Sequence, residues 1–191
     1  MMRQVAVFLG FILTIFSFSE RADAYIELNA FYIGDTFTAG TTSTSNRMFL
    51  EGSLGFAIDR KSHYLIGWNY GMHSTSENAN SVSSNYSSTQ MGPRFIWFFT
   101  RSKSWSLGLT YNLVTKAEYK SGTSSTESWS GTAYKIDLGY NYALGESSFL
   151  GVRLNYASAT YTSKLVESTN YSEISNTVTS TYPSIYFIYL W

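Results

Sequence analysis

From residue 26 to its end the chain alternates between apolar and polar residues with a period of two, and every charge inside the alternating windows falls on one phase. A strand sends successive side chains to opposite faces, so the pattern specifies strands with one oily and one hydrophilic face. The window at about 26–38 is the least regular: Ile26, Leu28, Ala30 and Tyr32 oppose Glu27, Asn29 and Asp35, but Phe31 and Ile33 share the hydrophilic phase. At about 47–58, Met48, Leu50, Gly52, Leu54, Phe56 and Ile58 oppose Arg47, Glu51 and Ser53. At about 63–73, Tyr64, Ile66, Trp68, Tyr70 and Met72 oppose His63, Gly67, Asn69 and His73. At about 89–99, Met91, Pro93, Phe95, Trp97 and Phe99 oppose Gln90 and Arg94. At about 105–116, Trp105, Leu107, Leu109, Tyr111 and Leu113 oppose Asn112 and Lys116. At about 132–143, Tyr134, Ile136, Leu138, Tyr140 and Tyr142 oppose Lys135, Asp137 and Asn141. At about 149–161, Leu150, Val152, Leu154 and Tyr156 oppose Arg153 and Asn155. The last window, 181–191, carries Pro183, Ile185, Phe187, Tyr189 and Trp191 on one face and the mixed set Tyr182, Ser184, Tyr186, Ile188 and Leu190 on the other.

The oily faces need a cover. A second sheet in a soluble core would have to supply it, and the hydrophilic faces are too polar to do so. A soluble chain ending on such an aromatic strand would also leave an adhesive edge. Hydrocarbon resolves both problems, provided the sheet closes on itself. A Lys or Arg facing lipid near the midplane costs about 2–4 kcal/mol, and the oily phase carries none. Composition agrees: charged residues are 14%, against about 25% in soluble domains. Aromatics are 18%, with 16 tyrosines. The expected fold is all-β, an eight-stranded antiparallel transmembrane β-barrel with its oily phase outward.

Connections alternate in length. Residues 59–62, 101–104 and 144–147 read as tight turns, whereas 40–46, 74–88, 119–131 and 162–180 read as longer loops rich in Ser, Thr, Asn and Gly. Short turns on one side and long loops on the other are the rhythm of transmembrane barrels, and an even strand count puts both termini on the short-turn side. Residues 1–24 read as a cleaved secretory leader: Arg3, an apolar run over 5–18, and Ala22-Asp23-Ala24 before Tyr25. The apolar run is short for the roughly 20 residues of a spanning helix. The barrel is then expected over 25–191. The leader carries as many acidic as basic residues, so the remainder stays neutral.

Residues 181–191 resemble the terminal strand of bacterial outer-membrane β-barrels, in which the final aromatic belongs to the signal read by the barrel-insertion machinery. The whole of 25–191 is similar in pattern to the small eight-stranded barrels of the OmpA transmembrane domain, OmpX and OmpW kind. The resemblance implies export, residence in the outer membrane of a Gram-negative bacterium, and contact with outer-membrane lipid and lipopolysaccharide. No separate peptidoglycan-binding domain is recognisable.

Eight strands enclose a space that side chains can fill. Inward Glu51, Arg94, Lys135, Asp137 and Arg153 lie at similar depth and predict an ion-paired layer across the lumen. Such a layer either satisfies itself as a polar core or acts as a gate between two pairings. Inward Phe49, Ile96, Phe98, Tyr182 and Tyr186 argue against a wide pore. Tyr64, Trp97, Trp105, Tyr142, Tyr189 and Trp191 form an expected aromatic girdle near the short turns; Tyr70, Tyr111, Tyr134 and Tyr156 form the opposite one, with Tyr32 beside them. Lys116, Lys120 and Lys164 are candidate contacts for lipid phosphates, or ordinary solvated lysines. Ala30, Gly34 and Gly52 are a candidate shallow patch for self-association, or a point of tight curvature. His73-Ser74-Thr75-Ser76-Glu77 is the one stretch that offers the residue types of a lipid A-modifying acyl hydrolase. A polar histidine at a strand end explains it equally. The sequence suggests no metal cluster, cofactor or nucleic-acid patch. The expected role is non-enzymatic: membrane structure or surface interaction, with a homo-oligomer as one assembly. A narrow pore for small or hydrophobic solutes is the alternative, and lipid A modification the third.

Overall fold

The computed structural model describes residues 24–39, 41–79, 82–166 and 170–191. The expected leader, except for Ala24, and the loop positions 40, 80–81 and 167–169 lie outside the described residues. Eight strands follow one another: β1 (Ala24–Ala39), β2 (Thr41–Ala57), β3 (Tyr64–Ala79), β4 (Val82–Phe98), β5 (Trp105–Ser121), β6 (Glu127–Ala143), β7 (Ser148–Val166) and β8 (Asn170–Leu190). Each pairs antiparallel with the next, and β1 pairs with β8, closing a barrel. Ala24 and Trp191 exchange both backbone hydrogen bonds at 2.9 Å, so the first and last strands meet at the short-turn end.

The tight turns fall where composition placed them. Asp59 closes the first: Tyr64 N–H donates to its Oδ1 at 2.8 Å and Lys61 N–H to its Oδ2 at 3.3 Å. Ser62 and Lys103 adopt left-handed backbone angles, with φ of 53° and 56°, to reverse the chain in so few residues.

The other ends differ from expectation. The segments read as long loops, 40–46, 74–88, 119–131 and 162–180, are largely strand. The β3–β4 ladder, for example, continues through Ser74↔Ser87 to Ala79↔Val82. The backbone bonds of a ladder need no apolar face, so pairing runs on after the oily signal ends.

A second difference concerns phase. Met91 pairs with Val114 but Arg94 with Thr110, and Asn112 pairs with Ala133 but Thr115 with Gly131. One extra residue therefore sits in β5 at Leu113–Val114, a β-bulge in which both side chains face out. Beyond it the phase flips. Thr115 and Ala117 point in and are buried, whereas Lys116, expected inward, is exposed.

Candidate functional site

Inside the barrel the side chains form layers. At the short-turn end Tyr25, Leu65, Ile96, Phe98, Phe149, Ile188 and Leu190 pack into an apolar cluster.

Above it lies the charged layer. Glu51, Arg94, Lys135, Asp137 and Arg153 are all buried. The structure joins three of these, Arg94, Asp137 and Arg153, in a closed ring whose fourth member, Glu27, comes from the irregular first window. Arg94 from β4 donates Nε to Glu27 Oε2 at 2.6 Å and Nη1 to Asp137 Oδ2 at 2.9 Å. Arg153 from β7 donates to Glu27 Oε1. Its Nε lies 2.8 Å from Asp137 Oδ1, an ion pair poorly aligned for a hydrogen bond. Two carboxylates and two guanidiniums thus alternate around the ring with no net charge. Arg153 also sits over the Tyr186 ring, 3.7 Å from its centroid, and the planar guanidinium suits both contacts. A methyl group at Gly108 would collide with the Asp137 carboxylate, so this position must stay bare for the ring to close.

A second unit rests on Glu51. Lys135 donates to it, Asn29 Nδ2 donates at 2.8 Å, and His73 Nε2 lies 3.4 Å away. Asn112 Nδ2 donates to Gln90 Oε1 at 2.8 Å beside it. Buried charges are costly unless paired and hydrogen-bonded, and here each of the six has an opposite partner. Glu27 and Asn29 were recognisable only as inward-phase polar residues; nothing in the sequence distinguished Glu27 as the hub.

Above the charged layer the interior becomes aromatic. Phe49 stacks on Tyr182, ring centroids 3.9 Å apart, with Phe31 against both. Further out, Ala117, Trp129, Ala133, Ala159 and Tyr161 form a buried cluster, with Tyr86, Tyr119, Ile174 and Val178 packed on it. Between these groups lies a cavity of about 360 Å³. His73 and Gln90 lie at its floor, Arg47 and Glu77 at its mouth, 3.7 Å apart.

The remaining candidate residues fall as follows. All ten girdle aromatics are exposed, from Trp97 at 38% to Tyr142 at 68%. Several pair on the outer face, such as Tyr64 with Trp97 at 6.3 Å and Tyr134 with Tyr156 at 6.2 Å. Lys116 and Lys120 are exposed on β5, while Lys164 pairs with Glu127 at 2.9 Å. Ala30 and Gly52 are diagonal neighbours, opposite Leu50 and Leu28, whereas Tyr32, 70% exposed, stands between Ala30 and Gly34. The 73–77 stretch assembles no triad. His73 turns inward to Glu51, Ser74 and Ser76 take the opposite phase, and Glu77 pairs with Arg47.

No protein-family model and no curated protein matches the chain. Among solved structures, Neisserial surface protein A is similar over 89% of this chain and 99% of its own, at 15% identity and a TM-score of 0.55. Ail, the attachment invasion locus protein of Yersinia pestis, aligns over 89% of this chain and 97% of its own, at 10% identity and a TM-score of 0.45. The translocator domain of the autotransporter NalP from Neisseria meningitidis aligns over 97% of this chain and 69% of its own, at 15% identity and a TM-score of 0.45. The likeness to the Neisserial protein is one of fold, and with the closed ring it identifies the architecture as that of a small eight-stranded bacterial outer-membrane barrel.

Proposed function

We propose that this chain is a non-enzymatic integral protein of a Gram-negative outer membrane, with a lumen filled by side chains, serving membrane structure or surface interaction. One observation carries the reading. The neutral ring of Glu27, Arg94, Asp137 and Arg153 spans the lumen directly above an apolar cluster, and each charge in it faces an opposite one. A plug of mutually neutralised charges suits a scaffold better than a conduit. Export with cleavage before Tyr25, recognition of 181–191 by the insertion machinery, and lipopolysaccharide phosphates at Lys116 and Lys120 complete the proposal. The exposure of both lysines beyond the bulge supports the last of these.

The experiment is a pair of measurements on protein extracted from the outer-membrane fraction. Its unboiled band should migrate differently from the boiled one, and planar bilayers should show no stable unitary conductance. Steady single-channel steps from the wild-type protein would overturn the plug and favour the narrow-pore reading. The particle mass in detergent decides whether copies self-associate.

A further inference from the structure

The cavity above the charged layer has two unlike walls. Strands β2, β3 and β4 line it with Arg47, His73, Thr75, Glu77, Ser84 and Gln90. Strands β5, β6, β7 and β8 line it with Tyr119, Trp129, Ala157, Ala159 and Val178, and Thr179 and Ser180 of β8 form the edge of that wall. Phe49 and Tyr86 are the aromatic members of the polar side. The division follows from the inward phases of the strands. Above the charged layer β3 sends in His73, Thr75 and Glu77, whereas β7 sends in Ala157 and Ala159.

The aromatic groups are within reach. Tyr86 and Tyr119 are only half-buried, and Tyr119 stacks on Trp129 with centroids 5.2 Å apart and 29° between the planes. The charges cancel. Arg47 and Glu77 face each other at 3.7 Å at the mouth, and Glu51 under the floor is paired with Lys135. The floor is closed by His73 on Glu51 and by Gln90, whose Oε1 accepts from Asn112. The amide N–H groups of Gln90 remain as donors there.

This combination selects a chemistry. An alkyl chain would satisfy one wall and leave the hydroxyl, amide and charged groups of the other without partners. A phosphate or sulfate would meet Glu77 together with Arg47. A pyranose matches both walls. Its C–H face is apolar and packs on the negative face of an aromatic ring, while each of its hydroxyls both donates and accepts. Ligand pockets run about 300–1,000 Å³. At about 360 Å³ with a closed floor, this one admits the end of a sugar chain and not its middle.

Resting on the surface-interaction reading, we propose that the cavity binds the uncharged terminal pyranose of a glycan. The ring packs on the side of Tyr119 and Trp129, its hydroxyls meet Thr75, Ser84 and Gln90, and the rest of the glycan leaves past Arg47 and Glu77.

Saturation-transfer difference NMR on the protein in phospholipid nanodiscs tests this. The probes are the methyl glycosides of glucose, galactose and mannose, with glucuronate and glucose 6-phosphate as charged counterparts. At least one neutral glycoside should receive saturation, strongest on its ring C–H protons, and the charged sugars about fivefold less. Tyr119→Ala should weaken binding about tenfold. Thr75→Val, which removes a hydroxyl at nearly constant volume, should weaken it about threefold. Val178→Trp, which fills the cavity, should abolish it. No transfer to any neutral glycoside, or transfer that survives Val178→Trp, overturns the site. Equal transfer to the charged sugars overturns the choice of an uncharged ligand. In nanodiscs that also contain lipopolysaccharide, a lost signal assigns the site to sugars of the protein's own membrane, and an unchanged signal assigns it to a foreign glycan. Each variant must keep its heat-modifiable band. Loss of that band in the wild type counts against the barrel reading, whereas a retained band without transfer counts against the sugar site alone.

Discussion

Along β6 the outward row Tyr134, Ile136, Leu138 and Tyr140 gives way at Thr132 to Ser130 and Ser128. On the opposite face Lys135 and Asp137 give way to Ala133 and Trp129. The membrane belt and the outer extension thus share strands but have reversed polarity. In the belt the outside is hydrocarbon, so apolar side chains face out and the charges retreat inward. In the extension the outside is water, so serines and lysines face out and an aromatic cluster assembles within. Strand geometry supplies only the alternation; the medium beyond the wall decides which phase is oily. Two devices make the change: substitution in register, as on β6, and the bulge at Leu113–Val114, which turns β5 over in one step.

This contrast can be broken from either side. Removing Arg94 leaves Glu27 and Asp137 each with one guanidinium fewer, in a belt without water. Arg94→Ala should cost about 3–5 kcal/mol, as for other broken buried pairs, measured by reversible denaturant unfolding in lipid vesicles. The next test compares two outward positions on one strand. Leu109→Arg should destabilise the barrel by about 2–4 kcal/mol, while Lys116→Leu, beyond the bulge, should change stability little. Equal costs at both sites would mean that the boundary between the regions is misplaced.

Trp129→Ala tests the extension alone. It should cost about 2 kcal/mol, less than the about 3–5 of a fully enclosed tryptophan, because the neighbouring cavity already leaves one side unfilled. Limited proteolysis should show the hairpins between β5 and β6 and between β7 and β8 cut faster, with the belt still protected. The smallest effect concerns Glu127 at the outer end of β6. Hydrogen bonds from Lys164 and then Trp129 hold its carboxyl below the usual carboxylate range. That pairing contributes fully above the unfolded-state value and is lost as pH falls through the lowered folded value. Acidification from neutral pH should therefore shift Trp129 emission before the belt unfolds, and Glu127→Gln should flatten the shift.

What the sequence made legible follows the same division. In the belt, apolar and charged residues differ so sharply that strand number, phase and the turns at 59–62, 101–104 and 144–147 could be read directly. Common depth predicts an ion-paired layer that includes Arg94 and Asp137 without saying which residues pair, and Glu27 escapes because Phe31 and Ile33 blur the phase of its strand. The short β1–β8 ladder explains the blur: pairing ends at Ala30↔Ile185, so those two residues lie where β1 leaves β8, and Ile33 is 38% exposed despite its inward phase. The extension was mistaken for loops because its Ser, Thr and Asn residues carry no oily row, although Tyr86, Tyr119, Trp129 and Tyr161 already marked its interior. Alternation alone puts Lys116 on the wrong face, because a bulge adds one residue without leaving a compositional trace.

The charged ring also constrains the order in which this wall can be completed. Its members come from β1, β4, β6 and β7, and Arg153 meets Glu27 across 126 residues of sequence. A β1–β2 hairpin alone would bring Glu27 and Glu51 without a counterion, and a β4–β5 hairpin would bring Arg94 unpaired; the β6–β7 hairpin carries Asp137 and Arg153 together. The pairs that Asp137 makes with Arg94 and Arg153 can form within β4–β7, but both arginines gain Glu27 only when the two ends of the chain are joined.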